Sequence, residues 1–534
     1  MSAPSPGFAR PPEGVQENLG AARRFLESLG ALARLRGLLE PHGLADAAPR
    51  IDIQNDGGPA GCRLPVEEDA AAAVAAAAAA ADRVWQLRGG APQQIRVSTL
   101  HAALSLASYQ HLRLNGEPLG GSPADNNPLV DFYRTRDGRW FFVHGVLEHL
   151  AAGTGRVLGL RERSAEAVRA AVARWDAQAL EDELARAGMC GAYARSTDEW
   201  RAHPQGQVLS SLPCVQVLRI GDAPPQPLPV GERPLSGLRV VDMTRIIAGP
   251  TTSRTLAEHG ADVLNISAQR VPSMRNFVMD TGHGKRSATL DVDVPADLER
   301  LLALVREGDV LVQGYRSGTL ARRGLSPERL AAQRPGIVYV SVNCYGHEGP
   351  WAQRPGWDQL GAVATGLAMR QGSPERPRLL PGVAALDYTT GYLAAYGAMV
   401  ALARRAIEGG SWEVRASLSQ TAMWMQEQPD VQPRPEQPLP ADLLQERDGG
   451  FGHLRFLRPV ARMSLTPPAW TLPAAPLGTH AAEWLPAHKG RQHDAARLRA
   501  GRADAAQTDD LTGRRDPPVI SEIRGDVPRG QQPR

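Results

Sequence analysis

The sequence is poor in cysteine and in aromatic residues. Only 4 of its 534 residues are cysteine, and Phe, Trp and Tyr together make up 5%. No two cysteines form a CxxC pair, which argues against both a disulfide framework and a cysteine-ligated zinc site. We therefore expect a reducing, cytoplasmic location. The cysteines are Cys62, Cys190, Cys214 and Cys344.

A strong net charge and a long apolar run are also missing. The formal net charge is +3, so no nucleic-acid partner is expected. The most apolar run, Ala70–Ala81, is too short to span a bilayer and is flanked by acidic residues. It predicts an Ala-rich soluble helix. The first residues, MSAPSPGFARPPEG, lack the apolar core of a signal peptide, and we expect no membrane association.

Several familiar catalytic signatures do not occur. The stretch Gly282–Ser287 resembles a phosphate-binding loop, but Met279 stands where that motif requires a glycine. Arg286 also stands where Ser or Thr must follow the lysine. We find no GxGxxG, no GxSxG nucleophile elbow and no HExxH. The sequence therefore predicts neither a metal site nor a permanently bound cofactor.

The second half of the chain alternates strand-like and helix-like segments. This alternation predicts a parallel sheet wrapped by helices, with ligands at the carboxyl ends of the strands. The expected fold class is α/β, a Rossmann-like sheet domain with a smaller α+β domain. The expected strands are Leu238–Met243, Ala261–Ile266, Val310–Gln313 and Ile337–Val342.

Composition divides the chain into five segments, as its length allows two or more domains. Residues 70–230 contain a hairpin signal at Asp137-Gly138 and several helices, and they end in a Pro-rich linker. The segments are an N-terminal extension (1–69), a part with a small α+β domain (70–230), the Rossmann-like domain (234–426), a poorly defined segment (427–487) and a tail expected to be disordered (488–534).

The stretch Pro381–Glu408 contains a long apolar run of helical character, and one acid, Asp387, lies near the start of that run. An Asp in the first helical turn commonly caps backbone N–H groups. Its neighbourhood also repeats: the helix, the Gly-Gly break and the strand after it match a similar unit around Gly89. That alignment sets Asp387 opposite Glu68 or Glu67. Two unrelated helix–turn–strand units would give the same pattern.

Six basic residues flank the expected strands of the second half. They are consistent with a solvated surface, and equally with a docking site for phosphates, which Arg and Lys bind well. Gly249 and Pro250 follow the first strand, where a helix N-terminus can receive an anion. The six are Arg245, Lys285, Arg286, Arg316, Arg322 and Arg323.

The order of these pieces resembles the class III CoA-transferases, the group of formyl-CoA and carnitine CoA-transferases. The resemblance runs from about Pro234 to Met425 through six blocks. They are PLSGLRVVDMTRIIAGPTTSRTLAEHGADVL, GKRSATLDV, DVLVQGYRSGTLARRGLS, PGIVYVSVNCYGHEGPW, PGWDQLGAVATG and PGVAALDYTTGYLAAYGAMVAL.

The resemblance implies that Asp387 is a nucleophile. It would form an anhydride with the acyl group of an acyl-CoA and then an aspartyl-CoA thioester. The implied substrates are an acyl-CoA and a small carboxylic acid. The implied CoA contacts are Ile247, Ala248, Lys285, Arg286, Tyr315 and Arg322.

Two other functions stay open on the sequence. A catalytically silent CoA-binding homologue is one, because the family's glycine-rich loop is not visible and Ser267, Ala268 and Gly314 depart from its pattern. A racemase or isomerase is the other. Racemases of the family place a His where Trp357 stands, and Trp cannot exchange a proton, so transfer is favoured.

The first half resembles the later portion of the same family. Family members are interlocked dimers, so the resemblance implies a homodimer or, within one chain, a pseudo-dimer in which the two halves complement each other.

Overall fold

A seven-stranded sheet organises the second half of the chain. In this computed structural model, which describes residues 30–119 and 124–486, the strand order is β11-β10-β9-β12-β13-β14-β8. All neighbours are parallel except β8, which pairs antiparallel with β14. The strands are β8 (Val215–Gly221), β9 (Arg239–Met243), β10 (Asp262–Ser267), β11 (Lys285–Thr289), β12 (Val310–Gln313), β13 (Val338–Asn343) and β14 (Ser411–Ser417).

Helices connect these strands and cover the sheet, which confirms the expected α/β class. The central strands are buried along almost their whole length, as parallel strands covered on both faces must be. The helices are α9 (Ala248–Glu258), α10 (Arg275–Thr281), α11 (Pro295–Arg306), α12 (Pro327–Gln333), α13 (Asp358–Ala364), α14 (Leu367–Gln371), α15 (Ala385–Glu408) and α16 (Leu418–Met425).

The first half supplies a second long helix and a small α+β domain. The hairpin predicted at Asp137-Gly138 is present, and Gly138 takes a φ of 76° in the turn. The elements are α1 (residues 30–39), β1 (Ile51–Gln54), α2 (Val66–Leu87), β2 (Ile95–Ser98), α3 (Thr99–Ser105), β3 (Arg113–Leu114), β4 (Glu117–Pro118), β5 (Val130–Arg134), β6 (Trp140–His144), α4 (Glu148–Leu158), α5 (Ala165–Val172), α6 (Ala177–Arg186), β7 (Gly191–Tyr193), α7 (Thr197–Ala202) and α8 (Pro204–Ser210).

The two halves repeat one arrangement and exchange strands. Helices α2 and α15 pack along each other, and each leads through a Gly-Gly break into a strand, β2 or β14. Each of those strands has a parallel neighbour from its own half, β1 or β13. Each also has an antiparallel neighbour from the other half: β8 joins β14, and β17 (Arg462–Met463) joins β2. The repeat predicted around Gly89 is thus visible in the fold.

The segment 427–487 contains regular structure that its sequence did not indicate. Residues Leu444–Gly449 (β15) and Gly452–Leu457 (β16) form an antiparallel hairpin that extends onto β3. The strands are short and alternate only weakly in burial, which leaves little periodicity to detect. The predicted disordered tail, residues 488–534, lies outside the described residues.

No helix in the described part of the chain is long and apolar enough to cross a membrane.

Candidate active site

Asp387 lies in the first turn of α15 and is only 8% exposed. Its carboxylate accepts no hydrogen bond from any residue within 30–119 or 124–486. A buried carboxylate without donors is costly when charged. Capping therefore does not explain this residue.

A different residue caps the helix. Asp358, the first residue of α13, accepts the backbone N–H groups of Leu386 at 2.9 Å and of Asp387 at 3.0 Å, both at Oδ2. These two amides lack partners within the helix, and a carboxylate there also meets the positive end of the helix dipole. Asp358 thus performs the helix-capping role that the sequence left open for Asp387.

The two carboxylates perturb each other. Burial raises the pKa of Asp387 well above its usual range, and the nearby negative charge of Asp358 raises it further. Burial also raises the pKa of Asp358, but the two amides that bond to it favour its charged form and oppose that shift. The geometry therefore assigns the charge to Asp358 and the proton to Asp387 when only one is ionised.

A cavity of about 740 Å³, mouth included, opens at the carboxyl ends of β9 and β10. Its lining combines apolar side chains with a few polar and charged groups, as the lining of small-molecule sites does. The position is the one at which parallel α/β sheets bind ligands. Its lining includes Thr244, Arg245, Ile246, Pro250, Asn265, Ser267, Ala268, Met274, Phe277, Lys285, Ser287, Tyr315, Ala475 and Leu477.

The loop between β9 and α9, together with the start of α9, borders this cavity and also contacts the helix that carries Asp387. Gly391 lies one turn after Asp387 on the same face of α15. A Cβ at Gly391 would lie 2.6 Å from the carbonyl oxygen of Ala248, so the first turns of α15 press against the start of α9. Ile246, in the same loop, lines the cavity and has a φ of 73°. This conformation is strained for a β-branched side chain, and such strain concentrates at functional sites.

The implied CoA contacts do not all face the cavity. Tyr315 and Lys285 line it, while Ile247 and Ala248 are buried directly behind Ile246 at the start of α9. Arg286 is outside the lining and donates to the carboxylate of Asp262 at 3.0 Å. Arg322 lies in a short 3-10 turn, is exposed and is also outside the lining.

Three of the six basic residues already have carboxylate partners. Lys285 is buried and donates to Asp242 at 2.9 Å and to the carbonyl oxygen of Pro250 at 2.8 Å, so it holds α9 to the sheet. Arg286 pairs with Asp262 and Arg323 with Asp293. Among the described residues, Arg245, Arg316 and Arg322 have no acidic partner. Arg245 and Arg316 both act on His149, whose pKa is lowered by burial and by these two charges, which places the two arginines in one neighbourhood.

The chain between β17 and Pro486 borders the cavity on its far side. Ala475 and Leu477 line it, and the backbone N–H of His480 donates to the carbonyl oxygen of Ser287 at 2.7 Å. The segment therefore covers the open edge strand β11 and supplies an apolar wall. These residues show no periodicity, so their sequence did not indicate this contribution.

Comparison with known proteins identifies the family. A model of CoA-transferase family III matches residues 49–223 and 235–480. The chain belongs to CoA-transferase family III. Both halves fall within the match, which agrees with the repeated arrangement around α2 and α15.

Two curated relatives are fungal. An acyl-CoA transferase of Gibberella moniliformis is 36% identical over 55% of this chain and 57% of its own length. An acetyl-coenzyme A transferase, nodX, of Hypoxylon pulicicidum is 30% identical over 63% of this chain and 64% of its own length. The chain thus aligns with less than two thirds of either relative. Among solved structures, a CaiB/BaiF family protein from Brucella suis is 28% identical over 42% of this chain and 65% of its own, with a TM-score of 0.34.

Proposed function

We propose that this chain is an acyl-CoA:carboxylate CoA-transferase with Asp387 as its nucleophile. The observation that carries the proposal is a buried carboxylate that accepts no hydrogen bond from the described residues, on a helix that packs against the start of α9 beside the cavity at β9 and β10. Membership of CoA-transferase family III and the names of the two fungal relatives support the reaction class.

The reaction starts with the ionised carboxylate. One oxygen of Asp387 attacks the thioester carbonyl carbon, the C–S bond breaks, and CoA leaves as the thiolate. The product is a mixed anhydride between Asp387 and the acyl group. The thiolate then attacks the Asp387 carbonyl carbon, which releases the donor acid and leaves an aspartyl-CoA thioester.

The second half of the cycle reverses these steps with the acceptor. The acceptor carboxylate attacks the aspartyl thioester, expels CoA thiolate and forms a second anhydride. The thiolate attacks the acceptor's acyl carbon, which yields the new acyl-CoA and regenerates the Asp387 carboxylate. Anhydrides hydrolyse, so the burial of Asp387 serves the reaction by excluding water.

The CoA portion is proposed to occupy the cavity beside β9 and β10. Arg245 and Arg316 have no carboxylate partner among the described residues and are suited to phosphate oxygens. Tyr315 offers a ring at the cavity wall, and the start of α9, with Ile247 and Ala248, lies between the cavity and Asp387. Lys285 acts through the fold by fixing α9, while Arg286 and Arg322 are assigned no contact.

The proposed assembly is an intramolecular pseudo-dimer. Its support is the strand exchange between the halves, in which β8 completes the sheet of the second half and β17 the sheet of the first. One chain would then hold one complete site. A homodimer of whole chains is the alternative, and the mass in solution separates the two.

A silent CoA-binding homologue is the second candidate. The observation that favours it is the raised pKa of Asp387, caused by burial and by the charge of Asp358, because that shift favours the protonated form, which is not nucleophilic. A panel of acyl-CoA donors and labelled acids decides between the two. A transferase moves label from the free acid into acyl-CoA, and Asp387→Ala abolishes that transfer. If CoA binds and no acid exchanges, the silent homologue is correct.

A further inference from the structure

A short segment of the first half is fixed against the helix that carries Asp387. The backbone N–H of Ala384 donates to the carbonyl oxygen of Leu106 at 2.9 Å. Ser108 donates to Asp280 of α10, and the hydroxyl of Tyr388 donates to the same carboxylate at 2.7 Å. Arg254 pairs with that carboxylate at 3.0 Å. This buried network leaves residues 106–110 little freedom to move relative to α15.

Tyr109, in this segment, lies between the cavity and the turn that precedes Asp387. Its ring meets Phe277, a residue of the cavity lining, edge to face with centroids 5.0 Å apart. Gln110 Nε2 donates to the Tyr109 hydroxyl at 3.0 Å and to the carbonyl oxygen of Gly382 at 3.1 Å. The ring is therefore held from both sides, by the cavity wall and by the backbone leading into α15.

The hydroxyl of Tyr109 accepts one hydrogen bond but donates none to a described residue. Its oxygen accepts from Gln110, while its own proton finds no acceptor among residues 30–119 and 124–486. Burial raises the pKa of Tyr109, the hydrogen bond from Gln110 opposes that shift, and the charges of Asp358, Asp125 and Asp387 raise the pKa further. Since Asp358 and Asp387 are among these charges, the hydroxyl lies in the electrostatic neighbourhood of the nucleophile.

We propose that Tyr109 donates a hydrogen bond to the carbonyl oxygen of the acyl thioester. The first half would thereby supply a catalytic residue to the site of the second half. When Asp387 attacks, negative charge develops on that oxygen, and a fixed donor in a water-poor site stabilises it. The inference rests on the proposed function, because it requires a thioester carbonyl between the cavity and Asp387.

The first test is Tyr109→Phe, which keeps the ring against Phe277 and removes only the hydroxyl. We expect kcat/KM for acyl transfer to fall about 10²-fold, as for other single oxyanion donors. The affinity for free CoA should stay within about twofold, because free CoA has no acyl carbonyl. The matched control is Tyr193→Phe in β7, whose hydroxyl bonds, among the residues that the structure describes, only to exposed Gln178 at 3.4 Å. It should behave as wild type.

A second measurement does not depend on turnover. A ketone analogue of acetyl-CoA, with a methylene group in place of the thioester sulfur and ¹³C at the carbonyl, is bound to each variant. Infrared difference spectra should show the carbonyl stretch at lower frequency in the wild type than in Tyr109→Phe. A merely structural role for Tyr109 would leave that frequency unchanged.

The outcomes separate this inference from the proposed function. If wild type forms an Asp387 adduct while Tyr109→Phe keeps more than half of kcat/KM and the same carbonyl frequency, only the role of Tyr109 is wrong. If wild type neither binds the ketone analogue nor forms an adduct, both are wrong.

Discussion

Asp358 caps the helix that begins beside Asp387: its Oδ2 accepts the Asp387 backbone N–H at 3.0 Å. One carboxylate therefore holds the backbone of another in place while its charge opposes the ionisation of that second group. The pair joins a structural role, the start of α15, to a chemical one, the protonation state of the proposed nucleophile. Each role can be removed separately.

Asp358→Asn keeps a capping oxygen and removes the charge. Without that charge the pKa of Asp387 should fall, because the like-charge repulsion is lost. The proposed nucleophile must be ionised, so activity rises with pH through its folded pKa. We expect the acid limb of the pH profile of kcat/KM to move to lower pH in this variant. An unshifted limb would mean that the Asp358 charge does not control Asp387.

Asp358→Ala removes the cap as well as the charge. Loss of a buried acceptor for two backbone amides should lower the free energy of unfolding by about 1–3 kcal/mol. Urea unfolding of Asp358→Ala against Asp358→Asn measures the cap alone. Equal stability of the two variants would contradict the capping role.

Asp387→Asn should abolish transfer and yet stabilise the fold at neutral pH. The folded pKa of Asp387 is raised, so the folded protein binds its proton more tightly than the unfolded chain does. Stability from this group is full below the unfolded pKa, near 3.9, and is lost as pH rises through the folded pKa. The amide side chain introduced by Asp387→Asn does not ionise, so the variant does not lose stability in this way as pH rises. Thermal unfolding at pH 4 and pH 8 checks the sign: the gain in Tm should be larger at pH 8.

Gly391→Ala should displace α15 from α9. The added Cβ would lie 2.6 Å from both the carbonyl oxygen of Ala248 and Cβ of Thr251, neither of which can easily move. Overpacking of this kind typically costs about 1–3 kcal/mol, and it should also reduce transfer by shifting Asp387. The control is Gly155→Ala in α4, where nothing lies within 4 Å of the added atom. There the free energy of unfolding should rise by about 0.5–1 kcal/mol.

Arg245 and Arg316, which have no carboxylate partner among the described residues, should contribute to CoA affinity. Arg245→Ala and Arg316→Ala are each expected to weaken CoA binding about tenfold, the scale of one charge-assisted contact. Arg323→Ala is the control, since its guanidinium is paired with Asp293 at 2.6 Å and should change binding little. Titration calorimetry at two salt concentrations measures this. If all three variants lost the same CoA affinity, the effect would come from the change in net charge and not from specific contacts.

Local patterns were enough to predict four adjacent strands of the sheet and the helix of Asp387, but not the outer strands β11 and β8. Strand β12 occupies Val310–Gln313, as its buried run predicts, and α15 ends at Glu408 before the Gly-Gly break. Helix α3 ends at Ser105. Residues 106–110 are fixed by distant partners such as Asp280 and Ala384, which no local pattern reveals.

Only those site residues that stand out in their local sequence could be predicted. Asp387 stands out as the one acid in a long apolar run. Asp358 follows Trp357, and at this block only Trp357 was used, as evidence against a racemase. An Asp at the start of a helix could have been recognised as a candidate cap. Arg286 and Lys285 are adjacent, and their side chains point to opposite faces of β11, so a basic pair in sequence is not a pair in space. Tyr109 is contributed by the other half of the chain.

The most direct test of the central claim is mass spectrometry of the peptide that contains Asp387 after incubation with an acyl-CoA. We expect a CoA thioester on Asp387 that hydroxylamine converts to a hydroxamate and that is absent in Asp387→Ala. An active enzyme whose adduct lies on another residue, such as Glu67 or Asp358, or one that transfers without any adduct, would contradict it.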